Sequence, residues 1–89
     1  MRYKVFSIRD RAADVFGQPF FCANGAVAIR MFTDEVNRPD QNSNLYRHPE
    51  DFDLYYLGDF DDAAGEMIPE HPVQIAVGKD VSNTTKRAE

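Results

Sequence analysis

The segment FDLYYLGDFDDAAGEMI, residues 52–68, decides the fold predicted for this 89-residue chain. Its first half alternates between two sets of side chains, as a β-strand with one face toward a core does: Leu54, Tyr56, Gly58 and Phe60 on one side, and Tyr55, Leu57 and Asp59 on the other. The turn DDAAG follows, in which Gly65 is free to adopt a positive φ, and EMI begins a returning strand. The segment therefore predicts an antiparallel hairpin.

Further strands are predicted on both sides of this hairpin. Residues 3–9, YKVFSIR, carry apolar side chains on both faces of a strand, so we place this strand at the centre of the sheet. Gly17 and Pro19 then interrupt any long helix, and residues 20–22 form a short extended piece that can pair at a sheet edge. After Pro72, the alternating run VQIAVG predicts a last strand.

One amphipathic helix is predicted between the short edge strand and the hairpin. Asn24 is suited to cap its first turn, and large apolar residues recur at helical spacing through residues 25–37. The helix ends before Pro39, because proline disfavours helical angles in the residue that precedes it. The apolar stripe consists of Ala28, Ile29, Phe32 and Val36.

Together these elements predict an α+β fold, in which one amphipathic helix packs on one face of a largely antiparallel sheet of four to five strands. Residues 1–78 are predicted to form a single compact domain, whose small size allows one modest core. Residues 79–89 form a polar tail that we expect to fray.

The net charge of −5 is concentrated in one part of the chain. Residues 39–72 carry one Arg against nine Asp or Glu, whereas residues 1–38 carry six Arg or Lys against four acids. A basic surface therefore remains open to nucleic acid, whose phosphates require Lys and Arg. No apolar run approaches the roughly 20 residues that span a bilayer, so we expect a soluble, cytoplasmic protein with no membrane partner.

Motifs for catalysis or metal binding are weak. DFDDAAGE has its glycine at the seventh position, whereas a calcium-binding EF-hand loop requires it at the sixth. His48 beside Glu50 and Asp51 suggests a metal or acid–base pair, but a turn before the strand is the interpretation we favour. No nucleophile or phosphate-loop motif is present, and the lone Cys22 is expected to behave as a small buried hydrophobe. We predict no enzyme, no metal and no cofactor.

Basic and aromatic side chains are interleaved in the first part of the chain. Single-stranded nucleic acid is bound by such combinations, because cations follow the phosphates while rings stack on the bases. The candidate nucleic-acid-binding residues are Arg2, Lys4, Arg9, Arg11 and Arg30. The residues alone favour the alternative that the rings are core and the charges ordinary surface, because a small domain needs its rings inside.

Two stretches, IRDRAADVFGQPFFCANGAVAIRMFTDEVN and HPEDFDLYYLGDFDDAAGEM, carry a family resemblance. Their most specific elements are Pro19-Phe20-Phe21, the helix pattern Ala28-Ile29-Arg30-x-Phe32, and His48-Pro49-Glu50-Asp51-Phe52 leading into Leu57-Gly58-x-Phe60-Asp61. In this order and spacing they resemble the small nonstructural protein of gokushovirus-type microviruses, which are phages with single-stranded DNA genomes.

The resemblance implies a protein that is made in the cytoplasm of the infected bacterium and is absent from the virion. It implies a role in viral DNA replication, or in the shift toward single-strand synthesis and packaging. It carries over no catalytic residues. The matched Gly58 is expected where the sheet meets another backbone closely.

Two functions are compatible with these observations. In the first, the chain binds single-stranded DNA weakly through its basic strand, as a homo-oligomer that multiplies small contacts. In the second, it is an adaptor without affinity for nucleic acid, and it engages a viral or host replication protein through its acidic hairpin. The residues expected to contact that protein are Tyr55, Asp59, Asp61 and Asp62.

Overall fold

The structure, a computed structural model, describes residues 1–83 and confirms the predicted α+β class. Its strands are β1 (Arg2–Asp10), β2 (Val15–Phe16), β3 (Phe20–Cys22), β4 (Phe52–Asp61) and β5 (Glu66–Val77). Its helices are α1 (Gly25–Asn37), α2 (Asn44–Arg47) and α3 (Gly78–Val81), and a single 3-10 turn (Pro49–Asp51) precedes β4.

The five strands form one antiparallel sheet around β1. One edge of β1 pairs with β4 along its whole length, and β5 pairs with the far edge of β4. The other edge of β1 is shared by the two short strands, β3 opposite residues 4–6 and β2 opposite residues 9–10. The central position predicted for the first strand is therefore confirmed, whereas the two-residue β2 was not predicted.

The helix α1 begins and ends where the sequence predicts. The side chain of Asn24 accepts a hydrogen bond from the backbone N–H of Val27 at 3.0 Å, which satisfies a donor of the first turn. Three residues of the apolar stripe are buried, namely Ala28, Phe32 and Val36. They meet Phe6 and Leu54 of the sheet in the core. Full burial of each large side chain contributes about 1.5–3 kcal/mol, so docking on the sheet holds the helix.

A β-bulge in β4 changes which side chains face the core. Val5 pairs with Gly58 and Phe6 pairs with Tyr56, so Leu57 is an extra residue on β4. Side chains after the bulge therefore lie on the opposite face from the one that strict alternation predicts. The predicted alternation of the hairpin strand is wrong beyond residue 57 for this reason.

Glycine is required at the bulge. Gly58 has a φ of +137°, and a Cβ added there would lie 2.3 Å from the carbonyl oxygen of Ile68 in β5. The expectation that Gly58 lies where the sheet closely meets another backbone is confirmed.

The returning strand is longer than the sequence predicts. Instead of a short strand after the turn and a separate last strand, β5 runs without a break from residue 66 to residue 77. Pro69 and Pro72 are tolerated within it because β5 lies at the edge of the sheet. The pairing with β4 is also irregular between these prolines, so three consecutive residues of β5 have no partner.

The packed unit extends beyond the predicted boundary at residue 78. Residues 78–81 form α3, Ser82 is buried, and the side chain of Asn37 accepts from the backbone N–H of Asn83 at 2.7 Å. Residues 79–83 therefore belong to the fold and not to a fraying tail. The rest of the predicted tail, residues 84–89, lies outside the described residues.

Close backbone contact also holds α3 in place. Pro49 is buried, and a Cβ added to Gly78 would lie 2.1 Å from the carbonyl oxygen of Pro49. The His-Pro-Glu-Asp stretch thus forms the surface on which the last helix docks.

We expect Gly58→Ala to lower the free energy of unfolding by at least about 1–3 kcal/mol, because the new side chain combines an unfavourable φ with a clash against β5. Gly25→Ala is the matched control, since a Cβ there meets nothing within 4 Å at the start of α1. Urea denaturation should show a lower midpoint at unchanged slope for Gly58→Ala alone. Equal midpoints for the two variants would contradict the bulge geometry.

We expect Gly78→Ala to destabilise the chain by steric overlap, because the obstacle is backbone and cannot rotate away. Protection of backbone amides against hydrogen exchange should fall most in α3 and in residues 49–52, because these two segments contact each other at Gly78. A uniform loss of protection over the whole sheet would contradict a local role of the contact between Gly78 and Pro49.

Candidate nucleic-acid interface

The two faces of the sheet differ in what covers them. Phe6, Phe20 and Leu54, which pack in the core with the helix, lie on one face. Pairing and alternation place a second set of side chains on the other face, which we call the open face. Its members include Tyr3, Val5, Ser7, Arg9, Phe16, Phe21, Asp53, Tyr55, Phe60, Met67 and Gln74.

Two pairs of aromatic rings occupy the open face. Phe21 and Phe60 stack with their centroids 5.6 Å apart and 20° between their planes. Phe16 and Tyr55 meet edge to face at 5.2 Å and 71°. Phe16 is 40% exposed and Phe21 is 53% exposed, so a ring surface remains available in each pair. Such rings provide large, flat, apolar area for a planar ligand.

The open face arises from neighbouring aromatic residues in extended strands. Phe20 and Phe21 are adjacent in β3, and Tyr55 and Tyr56 are adjacent in β4, so one member of each pair must face away from the core. From the sequence alone, the rings of the chain are expected in the core, because a small domain needs its rings inside. Phe16, Phe21 and Phe60 were therefore missed as surface residues.

The side chains of Arg2 and Lys4, two of the predicted nucleic-acid-binding residues, lie on the core-facing side of β1. Both approach Asp59, with Lys4 Nζ 3.1 Å and Arg2 Nη1 3.8 Å from its carboxylate oxygens. The bulge at Leu57 brings Asp59 onto this side of the sheet, opposite Lys4. Lys4 is consequently paired within the chain, whereas Arg2 shares the same single carboxylate at a longer distance and stays 59% exposed in its side chain.

Arg9 and Arg11 lie at the other end of β1 and also face carboxylates. Arg9 Nη2 is 2.5 Å from Asp14 Oδ1, and its guanidinium lies 6.0 Å from the ring centroid of Phe16. Arg11 Nε is 2.9 Å from Asp53 Oδ2, and Arg11 also donates to the backbone carbonyl of Glu50. Asp53 is opposite Arg9 and therefore lies on the open face, so Arg11 approaches this face as well. Of the predicted cations, Arg9 is the one with a recorded contact to a ring of the open face.

Arg30 is exposed on α1, on the helix-covered side of the sheet. The five predicted cations are thus distributed over both faces and both ends of the sheet, and the structure does not bring them together. Their role in binding DNA stays a prediction, with Arg9 in the most favourable position.

The residues predicted to contact a protein partner are largely engaged within the chain. Asp59 is buried, Asp61 accepts from the backbone N–H of Ala63 in the hairpin turn at 3.0 Å, and Asp62 pairs with the amino group of Met1 at 2.9 Å. Tyr55 lies on the open face beside Phe16. These three aspartates are therefore engaged by the start of the chain or by the hairpin turn, and Tyr55 belongs to a different surface from them.

Asp59 is the centre of a partly buried polar cluster. The Tyr56 hydroxyl donates to Asp59 Oδ1 at 2.6 Å. This hydrogen bond, followed by that from Lys4, holds the pKa of Asp59 below its usual value. The same hydrogen bond, followed by burial, raises the pKa of Tyr56 to about 12. The cluster is structural, because it is closed by groups of the chain itself.

His48, Glu50 and Asp51 form the other group of titratable side chains of interest. Their ligand-type atoms lie within 4.8 Å of one another, and His48 Nδ1 is 3.7 Å from Glu50 Oε1. His48 and Asp51 also line an open cleft together with Asp10. The backbone here forms the single 3-10 turn before β4, as the favoured interpretation predicts, and the closeness follows from that turn.

Comparison with known proteins places the chain in a recognisable group. The profile of the family described as Phage ORF5 protein matches residues 3–81. Protein ORF5 of Chlamydia phage 1 is 41% identical over 66 residues, which cover 72% of this chain and 69% of that protein. No solved structure matches the chain significantly. Within residues 1–83, none of the helices has the length and apolar character needed to cross a membrane.

We expect the stabilising effect of Asp59 to depend on pH. Because its pKa is lowered in the folded chain, ionised Asp59 adds stability above its unfolded pKa of about 4, and this contribution is lost as the pH falls through the lowered folded value. The difference in urea midpoint between the wild-type chain and Asp59→Asn should be largest near pH 7 and should shrink below about pH 4.

Asp34→Asn, which alters an exposed carboxylate of α1, is the control and should show little difference at either pH. A difference for Asp59→Asn that stays constant from pH 7 to pH 3 would show that its charge is not part of the cluster.

Proposed function

The chain belongs to the phage ORF5 protein family of single-stranded DNA phages, and we propose that it is a nonstructural accessory protein of viral DNA replication that binds single-stranded DNA through its open face. The resemblance to gokushovirus-type microviruses is confirmed by the family match and by the Chlamydia phage relative. The finer role, assistance to replication or to the shift toward single-strand synthesis and packaging, is part of the proposal.

The observation that carries the proposal is the pair of half-exposed phenylalanines on the open face. Phe16 and Phe21 each contact a second ring and keep part of their own surface exposed, so a base can stack on either one. RNA-recognition motifs stack two or three bases on aromatic side chains of an antiparallel sheet in this manner. That similarity concerns surface chemistry alone and supports no common origin.

The charge distribution sets the strength of the proposed binding. Four of the five candidate cations already face carboxylates of the chain, and the net charge is −5. Each phosphate neutralised on a single strand contributes about −0.7 to the slope of log K against log salt. We therefore expect weak, mainly stacking-driven affinity with a shallow salt dependence. Self-association, which we also propose, would multiply such weak contacts.

The adaptor function is the alternative proposal. In it, the protein partner would contact the open face. Phe21 and Met67 are each more than half exposed on the open face, and exposed apolar area of this kind also suits a protein partner. A viral or host replication protein would then contact the open face and not the aspartates of the hairpin.

We propose a role without catalysis, in the cytoplasm of the infected bacterium and outside the virion. The cleft at His48 is lined, among the described residues, by acids, an amide and apolar groups but by no hydroxyl or thiol nucleophile. Cys22 is buried against the core, and burial raises the pKa of its thiol.

We expect the wild-type chain to bind a fluorescent octathymidylate at low salt, and Phe21→Ala to weaken binding by about 5- to 150-fold, which corresponds to the stacking of one base. Met31→Ala is the matched control, because Met31 is similarly exposed but lies on α1. Fluorescence anisotropy at two salt concentrations gives both the affinity and the salt slope.

The same measurement tests the competing function. If the folded chain does not bind at low salt, the DNA-binding proposal is wrong and the adaptor function is the remaining proposal. A Met31→Ala loss equal to that of Phe21→Ala would show that the open face is not the site. Sedimentation velocity on the same samples reports the oligomeric state.

A further inference from the structure

We infer that the open face holds two bases that are not neighbours in the strand, so that it selects flexible, pyrimidine-rich single strands over stacked purine-rich ones. This inference rests on the proposed DNA binding and specifies the ligand of the same surface. It depends on the spacing of the two ring pairs, which we call station 1 (Phe21 and Phe60) and station 2 (Phe16 and Tyr55).

The spacing follows from the register of the sheet. Phe21 is opposite Val5 on one edge of β1, and Phe16 is opposite Arg9 on the same edge. Because β1 is continuous, the two stations are separated by four residues of strand, or roughly 13 Å at about 3.3 Å per residue. Both lie on one face, since residues 5 and 9 have the same parity.

The region between the stations offers no further stacking surface along β1. Ser7 lies midway between Val5 and Arg9, it is fully buried, and its hydroxyl donates to the carbonyl of Gly17 at 2.7 Å. Its cross-strand neighbour on β4, Tyr55, already packs against Phe16 and is part of station 2. A nucleotide above Ser7 therefore gains little from its base.

This arrangement excludes two adjacent, mutually stacked bases as the ligand. Bases in a stacked strand rise about 3.4 Å per nucleotide, which is far less than the distance between the stations. A strand whose bases stack on the rings of both stations cannot keep those bases stacked on each other. With one nucleotide between them, each step spans roughly 6.5 Å, half of the distance derived from strand geometry. The smallest ligand that uses both stations is a trinucleotide whose outer bases stack and whose middle base is free.

The requirement for unstacking produces a preference among sequences. Breaking the stacking of purine tracts costs more free energy than breaking that of thymine tracts, so the net gain on binding is smaller for purines. Preferences of this origin are modest, because every base has a flat face that an aromatic ring can accept. Arg9, whose guanidinium lies 6.0 Å from the Phe16 ring centroid, is the cation nearest to station 2, but it pairs with Asp14, so a phosphate there must compete with that carboxylate.

The decisive ligands are trithymidylates with one abasic position, measured by chemical-shift titration of the folded chain. Removing the middle base should change affinity less than twofold, whereas removing either outer base should weaken binding at least fivefold. Octathymidylate should bind at least threefold more tightly than octadeoxyadenylate. Equal losses at all three positions, or tighter binding of octadeoxyadenylate, would overturn the two-station inference.

A variant of the protein gives a second, independent test of the two-station inference. Phe16→Ala should weaken the binding of octathymidylate. The affinity for dithymidylate should stay within twofold of the wild-type value, because a dinucleotide occupies station 1 without reaching station 2. Equal loss for both ligands would overturn the inference. Failure of the proposed function itself is a distinct outcome, since the wild-type chain would then bind no oligonucleotide at low salt.

Discussion

The bulge at Leu57 and Gly58 is the constraint on which both faces of the sheet depend. One extra residue in β4 shifts every later side chain to the opposite face. Asp59 thereby turns toward Tyr56 and Lys4 and closes a partly buried polar cluster, while Phe60 turns outward and stacks on Phe21. A regular strand would have placed a phenylalanine near the core helix and a carboxylate on the open face. The backbone reaches this conformation only because Gly58 has no side chain to meet β5.

The acidity of the middle of the chain is largely an internal property. Aspartates of β4 and of the hairpin turn neutralise basic residues of β1, satisfy turn N–H groups, or pair with the amino group of Met1. Buried or partly buried carboxylates need such partners, because an isolated charge in the interior is strongly disfavoured. The consequence for function is that the chain offers aromatic area more readily than charge. Stacking, and not attraction to phosphate, is therefore the physical basis of the function proposed for the open face.

The helix, the central strand and the hairpin could be predicted because their determinants are local. An N-cap asparagine, an apolar stripe and a proline define α1 from Asn24 to Pro39, and alternation defines β1. The long β5 could not be predicted, because prolines end strands in the interior of a sheet and only the position of β5 at the edge makes them acceptable. The packing of residues 79–83 could likewise not be predicted, because a polar segment of this kind packs only where the fold provides a surface such as Pro49.

By itself, the amino-acid sequence determined the α+β class, the single amphipathic helix and the resemblance to a protein family of single-stranded DNA phages. The strict need for glycine at residue 58 follows from the structure. The tertiary structure decided which cations are already neutralised and which rings reach the surface. Those properties depend on strand register, and register is set by pairing between residues as distant as Lys4 and Asp59. A period of two residues specifies the two faces of a strand, but only the partner strands decide where a bulge exchanges them.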